Sequence, residues 1–132
     1  MGLRNARLNF RQDEKTHLME NVIYNELLVR GFNVDVGVVP VVNKDEEGKQ
    51  YRKQLEIDFV CNQGSRRYYL QSAFRMESEE KRMQEKASLL KVNDSFKKII
   101  VSGEGGLIHR SEDGVITMSI YDFLLKQNSL EL

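Results

Sequence analysis

The 132-residue chain has one cysteine, one proline and no tryptophan. A single thiol, Cys61, excludes an internal disulfide. It stands on an alternating apolar stripe, where a cysteine acts as a small hydrophobe and not as a nucleophile. No apolar run approaches the ~18 residues of a membrane span and no secretory signal opens the chain, so a cytoplasmic protein without a membrane partner is expected. CxxC, HExxH and GxxxxGK(S/T) are all missing, which excludes the commonest zinc and nucleotide motifs. Lys plus Arg and Asp plus Glu are both 20, so the charges cancel and no overall field announces nucleic acid or membrane. Any basic surface must be local. Met1–Gln12, with Arg4, Arg7 and Arg11 and no acid, is the best candidate and otherwise reads as a solvated arm on the domain.

What is present fits one α/β domain with one core, at 15.4 kDa and 40% hydrophobic residues. Asp13 or Thr16 caps a first helix that runs to about Arg30, with Leu18, Val22, Ile23, Leu27 and Leu28 as its apolar stripe and Gly31 as its stop. Phe32–Val42 is valine-rich and reads as a strand, bent or bulged near Gly37 and placed toward an edge by Pro40. The charged loop Asn43–Lys53 leads into a strand with Leu55, Ile57, Phe59 and Cys61 on one face, alternating with Glu56, Asp58, Val60 and Asn62. Asn62-Gln63-Gly64-Ser65 turns the chain. The returning strand carries Arg67, Tyr69, Gln71, Ala73 and Arg75 on one face and Tyr68, Leu70, Ser72 and Phe74 on the other.

A helix over Ser78–Val92 follows, with Met83, Ala87, Leu89 and Leu90 inward and its charges outward. The unbroken Ile99-Ile100-Val101 suits a buried parallel strand reached through that helix. A late hairpin, Leu107–His109 with Val115–Ser119, and a short helix over Tyr121–Lys126 close the domain. The mixed Glu/Lys pattern of Glu77–Lys86 is a solvated helix face. His17 and His109 have no ligand partners at useful spacing.

Glu20 lies beside the first helix's apolar stripe, and Asp58 and Gln71 lie on adjacent strands, so two carboxylates and an amide carbonyl can converge at one sheet edge. Hard cations such as Mg2+ or Mn2+ take such oxygen ligands, and a metal there would activate water for phosphodiester hydrolysis. Glu26 and Glu56 compete for the same roles. Ala73 can do nothing electrostatic. Arg75 could reach inward, but it stays protonated and can only stabilise charge.

The order helix with Glu, hairpin, Asp, then a strand with Gln-x-Ala resembles the restriction-endonuclease-like fold of the PD-(D/E)XK superfamily. More closely, GLRNARLNFRQ, HLMENVIYNELLVRGFNVDVG, EIDFV and YYLQSAF resemble the C-terminal domain, of unknown function, of a prokaryotic family of AAA-type ATPases. The resemblance covers nearly the whole chain. It implies an α/β domain with a mixed central sheet flanked by helices. It places the metal roles on Glu20, Asp58 and Gln71, with Ala73 where a lysine is expected and Arg75 as its replacement should the site be active. It also implies a nucleotide-binding module upstream, which makes residues 1–132 an excised domain. The missing lysine points to a fold kept for binding DNA or RNA or for regulating the ATPase. An active Mg2+- or Mn2+-dependent nuclease and a protein-interaction module are the alternatives.

Overall fold

A computed structural model describes residues 2–75, 79–92, 94–105 and 107–131, with side chains described from Glu14 onward except at 43, 79 and 81. The elements are α1 (Gly2–Val29), β1 (Asn33–Lys44), β2 (Gln50–Gln63), β3 (Arg66–Ala73), α2 (Glu79–Leu90), β4 (Lys97–Ser102), β5 (His109–Arg110), β6 (Ile116–Ser119), α3 (Ile120–Leu125) and a 3-10 turn over Ser129–Glu131. They build an α/β domain around one six-stranded mixed sheet in the order β1-β2-β3-β4-β6-β5. The first three strands are antiparallel, β3, β4 and β6 run parallel, and β5 returns antiparallel. No described helix is long and apolar enough to cross a membrane.

Helix α1 is longer than its sequence suggests, because residues 2–12 continue it toward the N-terminus instead of lying as an arm without regular structure. Its C-terminus follows expectation. Gly31 takes φ 90°, the Phe32 amide donates to the Leu27 carbonyl (3.1 Å), and the Gly31 amide donates to the Leu28 carbonyl (3.0 Å). A left-handed residue is what lets the last carbonyls find these donors, and glycine adopts it without a Cβ clash. The buried face is Met19, Ile23 and Leu27, whereas Leu18 and Leu28, expected inside, are exposed.

Two apolar layers cover the sheet. On the α1 side Met19, Ile23 and Leu27 meet Phe59, Cys61, Tyr68, Leu70, Ile99, Val101, Met118 and Phe123. On the other side Leu89 of α2 meets Ile57, Tyr69, Ala73, Ile100 and Val115. Met83 and Leu90, expected inward on α2, are exposed, and Ser88 takes an inner place. Cys61 lies fully in the first layer, and burial pushes its thiol up to about 12, so it is not a nucleophile.

Strand β2 does not keep one apolar face. Asp35 pairs with Val60 and Gly37 with Ile57, so Asp58 and Phe59 together oppose Val36. This bulge turns the strand over. Ile57 faces α2, while Phe59 and Cys61 face α1, which corrects the unbroken alternation read from the sequence. Gly37 permits it, because a Cβ there would come within 2.7 Å of Val60 Cγ2.

The C-terminal segment is fastened to the end of α1 by Arg30. Its Nε pairs with Glu26 (3.0 Å), Nη1 donates to Ser129 Oγ (2.8 Å), and Nη2 donates to the Phe123 and Lys126 carbonyls. The guanidinium also sits 4.8 Å from the centre of the Phe123 ring. Only a planar fork can serve so many acceptors at once. Arg30→Met should therefore lower stability in urea by about 2–4 kcal/mol, with Arg30→Lys recovering less than half. An unchanged midpoint in Arg30→Met would show that the segment is held by something else.

Candidate functional site

The β2–β3 ladder ends at Phe59 opposite Leu70. Beyond it β2 stays with β1, while Gln71, Ser72 and Ala73 pair only with β4. The two strands diverge, and side chains occupy the gap. Gln71 Oε1 accepts from the Asp58 amide (2.8 Å), and Asp58 Oδ2 accepts from the Ser72 amide (2.9 Å). Two side chains thus replace the backbone pairs that the splayed strands cannot make.

They enter the gap from opposite faces. Gln71 is buried on the α2 side, where its Nε2 donates to Ser88 Oγ (3.1 Å) and, at 3.4 Å, to the Glu56 carbonyl. Ala73, on the same face, is 3% exposed and packs with Ile57 and Leu89. Asp58 shares the bulge with Phe59 on the α1 side, close enough to Glu20 for their charges to repel. Glu20 also pairs with His17 Nδ1 (3.7 Å) on the exposed side of α1. Arg75 lies just past β3 with its guanidinium 5.8 Å from the Phe74 ring, which Lys15 Nζ approaches from α1 at 5.9 Å. Glu56 adds a further negative charge near Asp58.

The expected residues therefore do come together around the end of β3, but not as one ligand set. Asp58 and Glu20 share a face. Gln71 turns its amide to the other, with its oxygen bonded to a backbone N–H and its nitrogen to Ser88. Among the described residues no group of three or more His, Cys, Asp or Glu side chains could hold a metal ion. Ser72, which sequence reasoning did not single out, lies beside Asp58 with a buried hydroxyl that has no partner. That oxygen is enclosed by the chain and not open to solvent, so it does not complete a site for an arriving ion. The residues as arranged do not fit Mg2+ or Mn2+.

Burial, more than any neighbour, raises the Asp58 pKa above 3.8; the Ser72 amide opposes this, while Glu20 and Glu56 add to it. Tyr68 and Tyr69, which follow Arg66 and Arg67 on β3, are both buried, on opposite faces of the sheet. Tyr69 donates its hydroxyl to Asp94 (2.6 Å).

A mixed six-stranded sheet with helices on both faces and acids at the end of β3 defines an α/β domain with a polar strand gap. No protein-family model matches the chain, and no solved structure matches it. It is similar to an uncharacterized protein of Haemophilus influenzae (strain ATCC 51907 / DSM 11121 / KW20 / Rd), 29% identical over 126 residues, which are 95% of this chain and 27% of the relative. The chain thus spans about a quarter of the length of the curated relative it matches.

A raised pKa means that the folded protein holds the Asp58 proton more tightly than the unfolded chain does. The group's favourable contribution is then full below 3.8 and is lost as pH rises through the raised value. Asn can still accept from the Ser72 amide without a charge. Asp58→Asn should therefore melt at a higher temperature than the wild type near about pH 7, with the gap closing toward about pH 3.5. A wild type more stable than Asp58→Asn at the higher pH would show that the charge itself holds the strands.

Proposed function

We propose that this is a restriction-endonuclease-like domain that has lost hydrolysis and acts as the nucleic-acid-binding and regulatory end of an AAA-type ATPase. The observation that carries the loss is the packing of Gln71 and Ala73. A nuclease of this pattern needs an amide or acid and a lysine turned toward the metal-binding Asp. Here Gln71 bonds Ser88, and Ala73 fills an apolar layer in which a lysine ammonium would be stranded. The acids Glu20 and Asp58 stay on the other face.

Support for nucleic acid comes from the opposite end of the strands, at the start of β4. Phe96 is 40% exposed, and the Arg67 guanidinium lies 5.8 Å from its ring. Lys97, Lys98 and Arg110 line the same groove as Phe96. The acids there are already engaged, Asp94 with Tyr69 and Lys98 and Asp113 with Ser111 and Lys86. Burial and the nearby Arg110 charge both lower the Lys97 pKa. An exposed ring among cations is what stacks a base while neutralising its phosphates. The long relative, which this chain matches over a quarter of its length, suits a domain that works on neighbouring modules. The reading includes an ATPase module upstream and action in the cytoplasm.

The test uses labelled single-stranded DNA, double-stranded DNA and RNA with Mg2+ and then Mn2+. The expected result is salt-dependent binding without cutting, weakened about tenfold or more by Phe96→Ala. Metal-dependent cutting that disappears in Asp58→Ala would overturn the loss of hydrolysis. Neither cutting nor binding would overturn the nucleic-acid reading and turn attention to protein partners, for which Val36, Val38 and Val42 stand exposed on the edge strand β1.

A further inference from the structure

The parallel strands β3, β4 and β6 all end on one side of the sheet. In open α/β sheets ligands settle in crevices outside such carboxyl ends. Here a cavity of about 560 Å3 opens there, between α2 and the ends of β4 and β6. Small-molecule sites commonly measure about 300–1,000 Å3.

Its floor is set by strand register. Ser102 of β4 stands opposite Ser119 of β6, and Thr117 of β6 opposite His109 of β5, so three hydroxyls and an imidazole come from adjoining strands. Both serines are buried. Ser102 Oγ already accepts from the Glu104 amide (3.1 Å), so its own proton is what it can offer a ligand. The wall is Arg82 and Lys86, four residues apart and hence on one side of α2. Lys86 Nζ is 3.5 Å from Asp113, which steadies it beside the cavity and partly offsets its charge. Glu104 is the acid in the lining, and Leu107 supplies apolar surface.

We propose that this cavity binds a phosphate monoester of about nucleotide size, with the phosphate held by Arg82, Lys86 and the Ser102 and Thr117 hydroxyls. Guanidinium, ammonium and hydroxyl groups converging from two walls match an anion with three terminal oxygens better than a flat carboxylate. Glu104 then accepts from a sugar hydroxyl, and Leu107 flanks the organic part. The cavity is distinct from the Phe96 groove, and the two meet at the Lys86–Asp113 pair, whose acid lines that groove.

Titration of the full chain with AMP, inorganic phosphate, adenosine and a 5′-phosphorylated oligonucleotide, followed by amide NMR shifts, tests this. AMP and phosphate should shift the Ser102, Thr117 and Ser119 amides while adenosine leaves them in place. Arg82→Gln and Lys86→Gln should each weaken AMP about tenfold while the amide spectrum outside the cavity stays that of the folded wild type. Saturation by AMP and not by the oligonucleotide assigns a free nucleotide, and the reverse assigns a strand end. No shift at these amides with either phosphate ligand, or shifts unaffected by both substitutions, would overturn the proposal.

Discussion

The gap between β2 and β3 governs how the rest of this domain is used. Once the ladder ends at Phe59 and Leu70, the Asp58 and Ser72 amides face a buried gap without a strand partner. An unmet buried N–H costs about 1–3 kcal/mol, so something polar must meet each. Gln71 and Asp58 do so, each serving a backbone amide on the opposing strand. The residues with the most chemical promise are thereby spent on holding two strands apart at a fixed width.

That use fixes the surroundings. Gln71 needs a partner for its second hydrogen-bonding group, which Ser88 supplies from α2. The face it occupies must be closed, which Ala73, Ile57 and Leu89 accomplish. On the other face Asp58 remains a partly buried acid repelled by Glu20 and Glu56. A carboxylate kept where its charge is unfavourable is a common mark of a working or formerly working site.

Much of the fold was legible because its signals are local. Gly31 ends α1, Gly64 takes φ 61° in the β2–β3 turn, and Ile99-Ile100-Val101 has no polar face to give to solvent, so it lies buried between parallel neighbours. The faces of Gln71 and Ala73 followed from alternation along β3, but that of Asp58 was not legible. A bulge leaves no compositional mark on the strand that carries it; the trace lies on β1, where Gly37 makes room, and the consequence falls on β2. Ser72 and Ser88 belong to no motif and matter only through Asp58 and Gln71. Arg30 is fastened to Ser129, far along the chain, and no periodicity reports such a contact. The helical course of residues 2–12 was hidden by a stretch without an apolar stripe.

Amide hydrogen exchange at Asp58 and Ser72 tests this account most directly. The account predicts that both amides are protected like Phe59 and Leu70, that Gln71→Ala releases Asp58, and that Asp58→Ala releases Ser72. Exchange at these two amides as fast as in the exposed loops of the wild type, or protection that survives both substitutions, would contradict it.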